Sequence, residues 1–243
     1  MPYRRIPNTD KARLRALNIA LFRGKELAPF KLAFSQKSYQ KLQGFLHSYE
    51  NAMSFYRQAY TAQTNKNKNY IVVLKKAKMY ISHFVQVINM AILRGDLQPY
   101  IRKHFGLDEN GTRIPTLNSE EQIIFWGENL IKGEAQRILN GATPISNPTI
   151  ALVKVRYETF LEAYHHQKTL QKNTARALEK LSALRSKADS IILQIWNEVE
   201  ESYKDLPDDL RREKAMEYGL VYVYRKNEIS SFNLFDKKKT GAG

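Results

Sequence analysis

The sequence predicts an all-α protein: two long antiparallel helical hairpins packed in the manner of a four-helix bundle, with a basic helix at the N-terminus and one short strand near the C-terminus. Three observations carry this. Apolar residues alternate at spacings of three and four over long stretches, as in Tyr39, Leu42, Leu46, Tyr49, Met53, Tyr56 and Tyr60, and that period lays them along one face of a helix. The 243 residues include only eight prolines and 11 glycines, and these fall at the ends of the apolar runs, where helices stop. Only LVYVYR, from Leu220 to Arg225, has the β-branched and aromatic density of a strand.

Taken in order, Asn8 or Thr9 caps a first helix that puts Leu14, Leu17 and Leu21 on one face, and Gly24 ends it after Arg23. Ser35 caps the next helix. Its stripe meets polar residues from Gln63 to Asn69 and resumes with Tyr70, Leu74, Ala77, Ile81, Phe84 and Ile88 as far as Arg94 and Gly95. Asparagine tolerates the left-handed backbone of turns, so a reversal near residues 65–69 is expected. The alternative is a single helix of about 90 Å, at 1.5 Å per residue. Residues 96–118, with Gly106, Gly111 and two prolines, read as an irregular connector and a boundary. Ser119 and Gln122 form a capping-box pattern that opens a helix running to Gly141. Pro148, with Asn147 as cap, starts a second hairpin whose helices divide at Asn173 and Thr174. Pro207 opens a last short helix that Gly219 closes.

This organisation divides the chain into a basic helix and first hairpin (1–95), a connector (96–118), a connecting helix, second hairpin, short helix and strand (119–228) and a flexible tail (229–243), all within one compact unit. At an offset of 108, Tyr49, Glu50, Tyr56, Gln63 and Asn65 match Tyr157, Glu158, Tyr164, Gln171 and Asn173. That is the mark of a duplicated hairpin, although shared helical patterning produces similar matches.

The absence of cysteine excludes disulfides, thiol nucleophiles and thiolate metal sites. There is no GxGxxG after a strand, no GxxxxGK[ST], no GxSxG and no HExxH, so the usual signals of nucleotide binding and hydrolysis are missing. Glu162 and His165 have the three-residue spacing of a di-metal bundle ligand pair, but Ser54 and Arg57 stand at the matching positions of the first hairpin, and a cation would be repelled there. The acids of Glu198 to Glu201 and of residues 205–213 are expected on solvated faces near helix N-termini. No cofactor, metal or enzymatic activity is expected. No stretch has the roughly 18 apolar residues of a membrane span, and a cytoplasmic protein is the default expectation.

Charge is the informative quantity. The chain carries 39 Lys and Arg against 24 Asp and Glu, a net charge of +15, and residues 1–100 hold 17 of the bases against only Asp10, Glu26, Glu50 and Asp96. Such asymmetry concerns partners rather than fold. Lys68, Lys75, Lys76 and Lys78 project roughly 80° to 160° away from the apolar stripe of their helix. With Arg4, Arg5, Lys11, Arg13 and Arg15, and with Arg23 and Lys25 beside them, they make a candidate anion-binding set. The expected function is non-enzymatic attachment to an anionic macromolecule, nucleic acid or ribonucleoprotein ahead of an acidic protein surface, with low sequence specificity. The alternative is a helical adaptor, scaffold or assembly subunit, a homo-oligomer included. The plainest reading is a well-solvated charged surface.

The segments PYRRIPNTD (Pro2 to Asp10), KAKMYISHF (Lys76 to Phe84) and KVRYETFLEAY (Lys154 to Tyr164) resemble a family of uncharacterised, largely helical bacterial proteins. The resemblance runs over most of the chain and implies a helical fold. It brings no catalytic or binding residue with it.

Overall fold

In the computed structural model, which describes residues 2–224, most of the chain is helical. The elements are β1 (Tyr3–Arg4), α1 (Asp10–Glu26), a 3₁₀ turn (Pro29–Lys31), α2 (Gln36–Leu93), a second 3₁₀ turn (Pro99–Phe105), α3 (Glu120–Leu139), α4 (Ile150–Ser202), α5 (Asp208–Met216) and β2 (Tyr222–Val223). The two strands pair antiparallel, Tyr3 with Val223 and Arg4 with Tyr222. No helix among the described residues is long and apolar enough to cross a membrane.

The two hairpins are replaced by two unbroken helices. Residues 65–69 stay helical inside α2, and Asn173 and Thr174 stay helical inside α4. Asparagine costs a helix only about 0.7 kcal/mol relative to alanine, unlike proline. The polar break also has a matching partner: Gln167 on α4 donates to Asn67 on α2 at 3.4 Å, so polar side chains face polar side chains where a turn was expected.

The chain folds into two compact units, divided not at the connector but inside the long helices, after Gln58 and after Thr174. Unit 1 takes the described residues up to 58 and from 175 onward; unit 2 takes 59–174. Each has its own core. No residue of α2 between 57 and 69, and none of α4 between 165 and 180, belongs to either.

In unit 1, the first part of α2 runs antiparallel to the last part of α4, with Ser38 bonded to Glu198 and Lys41 to Gln194. Leu42, Leu46 and Tyr49 of the expected stripe are buried with Leu17, Trp196 and Tyr218, whereas Met53 and Tyr56 are partly covered and Tyr60, beyond this unit, is exposed. Thr9 caps α1 by accepting from the Ala12 N–H. Gly24 does not end that helix; a Cβ there would lie 2.3 Å from the Tyr39 ring, so the glycine makes room for an aromatic side chain. Ser35 stands at the start of α2 as expected, and its N–H donates to Glu198 at 2.8 Å. The acidic run Glu198 to Glu201 therefore lies in the last turns of α4, with Glu198 satisfying the N-terminus of α2 from across the unit.

In unit 2, the later part of α2 runs antiparallel to the early part of α4, where Arg156 lies over the Tyr80 ring at 5.5 Å. Ala77, Ile81, Phe84 and Ile88 bury against Phe105, Leu130, Val153 and Phe160. The capping box of Ser119 and Gln122 is present. Thr149, not Asn147, supplies the side-chain oxygen at the start of α4, accepting from the Leu152 N–H. Gly106 (φ 71°) ends the second 3₁₀ turn. The connector is part of this unit: Arg102, only 2% exposed, donates to the Asp108 carbonyl at 2.6 Å and to Asn89 Oδ1, and Asn89 donates to the Thr112 carbonyl at 2.9 Å. The expected tail at 229–243 lies outside the described residues, as does Arg225 of the expected strand.

Candidate anion-binding surfaces

The nine predicted anion-binding residues separate into three groups. Arg4 and Arg13 are committed to the fold of unit 1. Arg4 pairs with Glu200 at 2.8 Å and lies 5.9 Å from the Trp196 ring centroid. Arg13 makes a two-pronged contact with Asp189 at 2.7 and 3.0 Å. Its neighbour Asp10 receives the same kind of contact in the opposite direction, from Arg185 at 2.9 and 2.8 Å, and a further hydrogen bond from the Tyr49 hydroxyl at 3.0 Å. Thus α1 and α4 exchange reciprocal arginine–aspartate forks, the geometry in which such pairs are strongest. Burial alone would raise the Asp10 pKa, but the hydrogen bonds from Arg185 and Tyr49 and the nearby Arg13 charge hold it below its ordinary value. Arg23 is also occupied, by Glu26 and Glu217.

Arg5, Lys11 and Arg15 form the second group. All three are exposed and have no ion pair among the described residues. Arg5 and Arg15 line a hollow of about 400 Å³ in unit 1, walled by Ile6, Ile19, Met216 and Val221. This hollow was not legible in the sequence, because its walls come from both chain ends and its apolar residues fall outside the long stripes.

The third group lies on α2 within unit 2. Lys68, Lys75, Lys76 and Lys78 are all exposed, and none pairs with a carboxylate among the described residues. The reason is partly compositional: from Asn51 to Gly95 the chain contains no Asp or Glu. The row spans about 15 Å, ten residues at 1.5 Å each. Ile71 and Val72 stand between the lysines and Met79 directly follows them, 42%, 50% and 53% exposed.

Sequence reasoning missed two buried charge centres in unit 2. Glu134, fully buried, accepts from Arg137 at 2.8 and 3.1 Å and from the Ile145 N–H at 2.7 Å, while Arg137 also donates to the Thr143 carbonyl. The pair closes the loop between α3 and α4. The only sequence signal is the three-residue spacing of Glu134 and Arg137, which is ordinary for a surface pair. The second is Arg102, whose hydrogen-bond acceptors are all neutral; desolvation lowers its pKa, and the Asp108 charge opposes that in part. Glu162 and His165 are both exposed, and no group of three or more potential metal ligands occurs among the described residues.

No protein-family model matches the chain, and neither does any curated protein or solved structure.

Proposed function

We propose that the chain attaches to the phosphate backbone of a nucleic acid, with little sequence preference, through Lys68, Lys75, Lys76 and Lys78. The observation that supports this reading is the exposed, unpaired lysine row on a helix whose sequence has no acid for 45 residues. Several arginines of unit 1, by contrast, end on carboxylates: Arg4, Arg13, Arg23 and Arg185. A cation with no carboxylate partner can neutralise a phosphate, and release of the counterions condensed on the nucleic acid then drives association. Among the described residues no helix–turn–helix, zinc finger or paired stacking aromatics accompanies the row, which argues against readout of base edges.

Fluorescence anisotropy with short duplex DNA and short RNA at several salt concentrations tests the reading. Four phosphate contacts on duplex contribute a slope of about −3.6 in a plot of log K against log salt concentration. Replacing the four lysines with glutamine is expected to remove most of that slope and leave the far-ultraviolet helical signal intact. Absence of binding at about 50 mM salt, where the electrostatic contribution is large, overturns the reading. Binding to anionic lipid vesicles but not to DNA or RNA would move the lysine row to a membrane surface instead.

A further inference from the structure

The hollow in unit 1 is one end of a longer apolar trough along α1. A second hollow, of about 540 Å³, is lined by Asn18, Leu21, Phe22 and Lys25 and shares Arg15 and Ile19 with the first. From Ala12 to Lys25 the trough follows α1 for about 20 Å, 13 residues at 1.5 Å each. Along it Ile6, Met216 and Val221 are about half exposed and Phe22 is 60% exposed. Large apolar side chains gathered in this way mark an interaction surface more often than a bare one.

Three features specify what fits there. The first is charge. Arg5, Arg15 and Lys25 line the trough, no Asp or Glu does, and none of the three cations has a carboxylate partner among the described residues. On α5, Arg211 and Arg212 end on Asp208 and Asp209, so the carboxylates of that helix are already taken. The second is shape. Arg15, Ile19 and Phe22 stand at spacings of four and three, a ridge that matches the groove between side-chain rows of another helix. The third is preformation. Gly219 has φ 88°, and a Cβ there would lie 3.3 Å from the Ile19 side chain, so the wall formed by residues 219–221 is packed closely against α1.

We propose that this trough docks an amphipathic helix of an acidic partner protein, with apolar residues seated against Ile19, Phe22, Met216 and Val221 and carboxylates meeting Arg5, Arg15 and Lys25. An extended strand is the poorer fit: the Arg5 N–H on this wall already donates to the Val221 carbonyl at 2.7 Å, leaving the edge with few free backbone partners. The site is separate from the lysine row of α2, and the proposal does not rest on the nucleic-acid reading.

The experiment uses the full chain and a fluorescein-labelled helical peptide of leucine and glutamate, with leucines at helical spacing along one face. Controls carry lysine for glutamate or alanine for leucine. Anisotropy is expected to show binding at least about tenfold tighter than for either control. Phe22→Asp and Arg15→Glu, both at exposed positions, are each expected to weaken it by about tenfold or more, while Trp196 emission confirms that unit 1 remains folded. The chain with Lys68, Lys75, Lys76 and Lys78 changed to glutamine is expected to bind the peptide as wild type does, which separates this site from the nucleic-acid site. Equal binding of the lysine control, undiminished binding by Phe22→Asp, or loss of binding in the quadruple lysine variant would each overturn the proposal. So would light scattering that shows a dimer dissolved by Phe22→Asp, since a second copy would then be the occupant.

Discussion

Glu134→Ala is expected to be among the most damaging single changes in unit 2. The carboxylate is fully buried, Arg137 is 4% exposed, and the two share a pair of hydrogen bonds at 2.8 and 3.1 Å. Truncation leaves a guanidinium in the interior facing only the Thr143 carbonyl, and it strips the Ile145 N–H of its acceptor. Breaking one side of a buried pair costs about 3–5 kcal/mol, because the remaining charge stays desolvated. An orphaned buried N–H costs about 1–3 kcal/mol by itself, but the two penalties share the same relaxation and do not add in full. With a urea m-value of about 2 kcal/mol per molar, a loss of 3–5 kcal/mol lowers the unfolding midpoint by about 1.5–2.5 M. Trp126 lies in unit 2 and Trp196 in unit 1, so Trp126 emission in a Trp196→Phe background follows the affected unit. Replacing both Glu134 and Arg137 with methionine removes the charges together and is expected to recover most of the loss, since well-packed apolar groups often equal a buried pair. A shift below about 1 kcal/mol for Glu134→Ala, or a double variant no better than the single one, would refute the assignment of this pair as a coupled buried centre.

Two further outcomes are expected. The Asp10 pKa is held below its ordinary 3.8, so its contribution to unit 1 is fully present above that value and is lost as pH falls through the lower, folded one. Acid unfolding followed by Trp196 emission is therefore expected to begin at higher pH in Asp10→Asn, and identical acid profiles would contradict the role of the Arg185 and Tyr49 contacts. Among the glycines, Gly133→Ala places a Cβ 2.2 Å from the His104 carbonyl oxygen, whereas Gly44→Ala meets nothing within 4 Å. Thermal melts are expected to show the first destabilised by about 1–3 kcal/mol and the second stabilised by about 0.5–1 kcal/mol, and a reversed order would show that α3 does not approach the 3₁₀ turn as described.

The helices were legible because their stripes are long and their breakers few. Leu42, Leu46, Tyr49, Ala77, Ile81, Phe84 and Ile88 were all found in a core, and Ser119 and Gln122 announced their cap within four residues of sequence. Continuity was not legible. A run such as residues 63–69 has the composition of a turn and the propensity of a mediocre helix, and the side chain that meets it, Gln167 against Asn67, lies 100 positions away. The division of the bases was hidden for the same reason: Arg13 and Arg15 look alike in the sequence, yet one finds Asp189 and the other faces water. Outward projection could be judged for Lys68, Lys75, Lys76 and Lys78 from their own helix alone, and all four are exposed. The trough had no such local signal, since Ile6 and Val221 meet only after the two ends of the described chain come together.

That meeting has a consequence for biosynthesis. Unit 2 is contiguous in sequence, whereas unit 1 needs residues 175 onward to complete the core begun by α1 and the first part of α2. At about 5–20 residues per second, the N-terminal segment waits on the order of ten seconds before its partner leaves the ribosome. Throughout that interval Leu17, Leu42, Leu46 and Tyr49, all buried in the finished protein, have no completed core to cover them. The same segment, residues 1–58, holds 11 Lys and Arg against 3 Asp and Glu, a net +8 of the chain's +15, and like charge on nascent copies opposes their association while they wait. Net charge of one sign thus favours solubility in the half of a core that is made first and closed last.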